Sequence, residues 1–122
     1  SQEVYKGILS GKSQATFNGR IVVRQDAQKT SSRQSNKNLL LSDEATVNTK
    51  PLLEIFANDV KCNHGATVGR LDENQVFYLR SRGIDRADAR QLLTYAFADE
   101  ILSEIRIPSL REKLKQTIKE AL

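Results

Sequence analysis

At 122 residues, 39% hydrophobic and 28% charged, the chain has the length of one small domain or of the end of a larger one, with no surplus of core-forming side chains. A single Cys excludes an intrachain disulfide framework and fits a reducing compartment, and no apolar run approaches the roughly 20 residues that span a bilayer. The net charge of +4 comes from Lys and Arg scattered singly through the first seventy residues, the pattern of a solvated face rather than a nucleic-acid groove. Together these features predict a soluble, cytoplasmic protein with neither a membrane nor nucleic acid among its partners.

Residues 1–16 are polar, with Gly7 and Gly11 on either side of Ile8-Leu9, and read as a cut into something larger rather than the start of an independent fold. Thr16 to Arg24 is β-branched and bounded by polar residues, which predicts the first strand. Residues 25–38 contain Ala27 as their only apolar residue. They predict either a mobile loop or polar rungs whose Asn, Gln, Ser and Thr side chains bond to one another.

Short apolar pieces then recur at 39–41, 45–47, 52–56, 60–62 and 66–68, each three to five residues long, with breaks that hold Ser, Asp, Asn, Lys, Pro51 or Gly65. That spacing is too tight for sandwich strands. It suits a β-solenoid whose corners recur every few residues, with a small irregular sheet as the alternative.

The texture changes at Asp72. Asp72 and Gln75 have capping-box spacing, Val76 and Leu79 mark one face of a short helix, and Gly83 supplies the left-handed residue that ends it, with Ile84 folding back. Asp85 caps a second helix reaching Ile105 at most, in which Ala89, Leu92, Leu93, Ala96, Phe97 and Ile101 recur at three- and four-residue intervals. Pro108 and Ser109 open a third, with Glu112 completing a capping box to Ser109 and Leu110, Leu114, Ile118 and Ala121 as its apolar stripe. Three such helices cannot hide all their apolar faces on one another, so part of that surface needs the strand layer or a partner.

The only Cys and the only His stand two residues apart, in Lys61-Cys62-Asn63-His64-Gly65. On a strand both point to one face, about 6.5–7 Å apart along the chain. A thiolate beside an imidazole can bind zinc or iron, but two donors do not complete a tetrahedral site; a buried structural Cys beside a hydrogen-bonded His is the competing reading. No cysteine-hydrolase signature and no Gly-rich phosphate loop is present, so an enzyme is not expected.

Gly19-Arg20-Ile21-Val22-Val23, Gln34 to Ser42, Thr49 to Ile55, Lys61-Cys62-Asn63-His64-Gly65-Ala66-Thr67 and Phe77 to Gly83 together resemble the C-terminal part of the SufB/SufD family, the scaffold subunits of the SUF iron–sulfur cluster assembly machinery. The resemblance runs from about Gly19 to Ile105, and His64-Gly65-Ala66-Thr67 falls on the SufD side, where the SufB side reads His-Glu-Ala-Thr. The SufD side often has Ser where this chain has Asn63, which touches neither donor.

The resemblance implies a mixed β then α chain: C-terminal turns of a right-handed parallel β-helix over 1–71, then a helical domain over 72–122. It implies a non-catalytic scaffold that pairs with SufB through the β-helix and docks the SufC ATPase through its helices, Asp85, Ala89, Leu92, Leu93, Ala96, Phe97 and Ile101 being the candidates. His64, with Cys62 near it, would contribute to an interfacial site completed by a SufB cysteine. No cofactor is expected to rest stably on this chain alone, although iron or a cluster would pass through the shared site. A homodimer is expected where SufB is absent, and the plastid stroma replaces the cytoplasm in a plant or alga. The alternative is a β-helix interaction module without metal chemistry.

Overall fold

Five strands carry the first part of the chain: β1 (Gln2–Leu9), β2 (Gln14–Val23), β3 (Ser31–Leu40), β4 (Thr46–Ile55) and β5 (Lys61–Gly69). Three helices follow, α1 (Glu73–Ser81), α2 (Arg86–Leu102) and α3 (Pro108–Ala121). The computed structural model describes all residues from Ser1 to Leu122, which fall into two compact units, 1–69 and 70–122.

Within the first unit, successive strands alternate between two all-parallel sheets, one ordered β1-β3-β5 and the other β2-β4. Gln2 lies opposite Arg33, Gln14 opposite Thr46 and Ser31 opposite Lys61, so the chain returns to the same sheet every 30 to 32 residues. The corners stack as well. Leu41 N–H donates to Leu9 O, Thr46 N–H to Ser13 O, Phe56 N–H to Val23 O and Lys61 N–H to Thr30 O, which carries the ladder beyond the strand ends. Gly11 (φ 60°) and Lys29 (φ 62°) take the left-handed conformation that two of the corners require.

The sheets face each other across a narrow interior. The Tyr5 ring on β1 meets the Phe17 ring on β2 at 4.9 Å, and Leu9, Val23 and Leu39 are buried. The inner face of β3 is polar, formed by Ser32, Gln34, Asn36 and Asn38, all buried. Asn38 Nδ2 donates to Asn36 Oδ1 at 2.7 Å, and also to Thr67 O on β5 at 3.3 Å.

The stretch 25–38 is therefore no mobile loop: 31–38 is the greater part of the middle strand of its sheet, and Asn36 and Asn38 are the mutually bonded rungs. Residues 1–16 likewise hold a full strand and the start of a second. The short apolar pieces merge into strands of eight to ten residues because Pro51 and Gly65, read as breaks, lie within β4 and β5.

Pro51 is tolerated for a definite reason. Thr46 and Phe56 both donate toward β2, so the odd-numbered residues between them turn their backbone N–H positions to the side of β4 that has no neighbour.

In the second unit, Asp72 caps α1 by accepting from Asn74 N–H at 2.8 Å. The helix ends in a Schellman turn, with Gly83 at φ 91°, Ile84 N–H donating to Leu79 O and Gly83 N–H to Arg80 O. Asp85 caps α2 by accepting from Asp88 N–H at 3.0 Å, and α2 stops at Leu102.

The buried side of α2 consists of Ala89, Thr94, Ala98 and Leu102, rotated from the expected stripe. Thr94 belongs to it because its hydroxyl donates to Arg90 O at 2.8 Å and brings no unpaired polar atom inside. α3 begins at Pro108 as its first residue, with Ile107 at the cap position and no side-chain cap, so the Ser109–Glu112 box is not formed. None of α3 is buried.

Candidate functional site

Cys62 and His64 both lie on β5, the outermost strand of its sheet, paired on one side with β3 and open on the other. Ser32 is the register partner of Cys62, and Gln34 of His64. Register partners in a parallel sheet share a face, so both donors fall on the face that β3 lines with buried Ser32 and Gln34. Cys62 is half-buried and His64 exposed.

Chemically the pair offers two of the four donors that a tetrahedral metal site would need. A thiolate and a neutral imidazole suit iron or zinc, and no group of three or more His, Cys, Asp or Glu residues gathers anywhere in the chain. Any further donors must come from outside it. His64 is exposed, so the approach to the imidazole is open.

The helical candidates divide by exposure. Ala89 is fully buried, while Leu93, Phe97 and Ile101 are half-buried. Leu92 (47% exposed) and Ala96 face outward, and Asp85 is spent on its cap.

Two open grooves meet at Leu92. One of about 480 Å³ is lined by Tyr78, Leu79, Leu92, Leu93 and Ala96 between α1 and α2. The other, of about 440 Å³, is lined by Ile84, Leu92, Tyr95, Lys119 and Leu122 between α2 and α3. Lys119 Nζ lies 5.5 Å from the centre of the Tyr95 ring.

Sequence reasoning missed Ser32 and Gln34 beside the Cys–His pair. The available signal was the run Ser32-Arg33-Gln34-Ser35-Asn36-Lys37-Asn38, in which the amides Gln34, Asn36 and Asn38 recur at every second position with Ser35 and Lys37 between them. That is a two-residue period written in polarity rather than in hydrophobicity.

Two interleaved parallel ladders with a polar inner strand end in an open edge that carries one thiol and one imidazole. The chain belongs to the family described as "SUF system FeS cluster assembly, SufBD core domain", whose model matches residues 1–97.

Among its relatives is the iron–sulfur cluster assembly protein SufD of Escherichia coli (strain K12), 50% identical over 122 residues, which is all of this chain and 29% of that protein. The iron–sulfur cluster assembly SufBD family protein slr0076 of Synechocystis is 48% identical over 97% of this chain and 26% of its own length. Protein ABCI7, chloroplastic, of Arabidopsis thaliana is 40% identical over 98% and 25%. The chain thus spans between a quarter and a third of the length of the relatives it matches. No helix in it is long and apolar enough to cross a membrane.

Proposed function

We propose that the chain is the site-bearing end of a non-catalytic scaffold subunit in iron–sulfur cluster assembly, working in the cytoplasm or, in a plant or alga, in the plastid stroma. Its β unit is the last part of a right-handed parallel β-helix that pairs with SufB, and its helices dock the SufC ATPase. The β-helix reading is supported by the alternation of strands between two parallel sheets and by the stacking of their corners.

The observation that carries the proposal is the placement of Cys62 and His64 on one face of an edge strand, an incomplete donor set beside a row of unpaired backbone groups. An open edge is a template for a strand from another chain, and a partner strand laid on β5 would bring its own side chains next to His64. A SufB cysteine there would complete what this chain lacks. Iron or the nascent cluster is the cargo of such a site, held between subunits rather than by either one.

For the helical unit, the grooves meeting at Leu92 support docking by a partner's apolar side chains, Lys119 at one rim supplying a charged contact. Where SufB is absent, the same open edge favours a homodimer.

The test is anaerobic iron–sulfur reconstitution after co-purification with SufB and SufC, comparing wild type with His64→Ala. Retained complex with a loss of cluster yield of at least about tenfold supports the reading. Unchanged yield leaves an interaction module without metal chemistry.

A further inference from the structure

Two buried side-chain oxygens of the β unit, Ser32 Oγ and Gln34 Oε1, lack a hydrogen-bond partner. Both belong to β3, and they are the residues in register with Cys62 and His64. A buried acceptor or hydroxyl is kept without a partner where water, a ligand or a functional group supplies one in the working state.

The geometry around Gln34 narrows the choice. The residue is 3% exposed, and its Nε2 donates to Glu3 Oε2 at 3.1 Å. Glu3 is the register partner of Gln34 on β1, so Glu3, Gln34 and His64 form one row across three neighbouring strands. An ionised carboxylate only accepts, which fixes the amide with its NH2 on Glu3 and leaves its carbonyl oxygen to receive a proton from elsewhere. Across the interior stands Gly19, where a Cβ would lie 2.5 Å from that oxygen, so the opposite sheet offers no side-chain donor at this point. The donor in register is the imidazole of His64.

We propose that Gln34 is a positioning residue for His64 and Ser32 for Cys62. Gln34 Oε1 accepts the N–H of the neutral imidazole, which turns the ring and leaves the other nitrogen's lone pair for the metal, while the Ser32 hydroxyl donates to the Cys62 sulfur. An acceptor behind an imidazole ligand sets its orientation and raises its basicity, whereas a hydroxyl donating to a thiolate sets its orientation and stabilises the deprotonated sulfur. The inference rests on the reading of Cys62 and His64 as donors to an assembly site. It adds that their row on β3 is amide and hydroxyl because the donors need partners, a role that close packing alone does not require.

The experiment uses the full-length protein paired with SufB and titrated with Co²⁺ alone, read by its d–d and sulfur-to-cobalt absorption. Gln34→Met keeps the volume and removes the acceptor; it should weaken Co²⁺ binding roughly 10- to 100-fold with pairing unchanged. It should cost nothing further on top of His64→Ala.

The exchange of Glu3→Gln together with Gln34→Glu, which returns an acceptor to position 34 with its own donor behind it, should restore binding. Ser32→Ala should weaken the sulfur-to-cobalt band. If Gln34→Met binds Co²⁺ like wild type while His64→Ala does not, the positioning role is overturned and the site reading stands. If His64→Ala itself binds like wild type, the site reading is what fails. Should Gln34→Met disturb pairing, the exchange and Ser32→Ala decide: wild-type binding by the exchange with a weakened Ser32→Ala supports the proposal, and the reverse overturns it.

Discussion

Asn38 shows why the interior of the β unit tolerates polar residues. Its amide donates to Asn36 Oδ1 and to Thr67 O, so one buried side chain satisfies a neighbour on β3 and ties β3 to β5. Asn38→Ala removes both bonds and strands the Asn36 oxygen, which should cost about 1–3 kcal/mol in chemical denaturation; a shift below about 0.5 kcal/mol would mean that water replaces the bond. Gly19 is a second such position, since a Cβ there would stand 2.5 Å from Gln34 Oε1 and 2.7 Å from the Phe17 ring. Gly19→Ala should destabilise by about 1–3 kcal/mol through overpacking. Gln34 itself was invisible to a search for apolar periodicity, because its contribution to the core is a hydrogen bond and not an aliphatic surface.

At the scale of elements, β5 is half of a sheet interaction. Lys61 N–H donates to Thr30 O, so odd-numbered residues of β5 bond toward β3 and even-numbered ones turn their N–H groups to the open edge. Proline at an even position therefore removes a donor from the edge alone. Ala66→Pro should leave the melting curve nearly unchanged and reduce capture of SufB by at least about tenfold; equal capture would show that the partner does not pair along β5. The turn between α1 and α2 is constrained in another way. Gly83 at φ 91° closes the Schellman turn, and Gly83→Ala should lower stability by about 1 kcal/mol, measured by thermal unfolding of the helical signal.

For the whole molecule, the two compact units carry separable parts of the proposed role. The helical unit buries few side chains, Val76, Ala89, Thr94, Ala98 and Leu102, and exposes Leu92 where two grooves meet. Leu92→Asp should abolish SufC docking while SufB pairing and Co²⁺ binding persist, and His64→Ala should abolish Co²⁺ binding while both partners are retained. Co-purification of each variant with each partner, followed by Co²⁺ titration, reads both effects. If either variant loses both partners together, the division of labour between strands and helices is wrong.

The sequence by itself determined the order of strands then helices, the caps at Asp72 and Asp85, the Gly83 turn, and a Cys–His pair on one face of a strand. Each of these follows from residues within a few positions of one another, where backbone sterics and local hydrogen bonds decide. It did not determine that 31–38 is a middle strand, that Thr94 is buried in place of Ala96, or that Pro51 sits inside β4. The strand and the proline depend on partners some thirty residues away, β1 and β5 on either side of β3 and a missing neighbour on one side of β4, and the face of α2 depends on its packing against α1 and α3. The row Glu3–Gln34–His64 belongs to the same class, because three residues separated by about thirty positions become neighbours only when parallel strands stack in register.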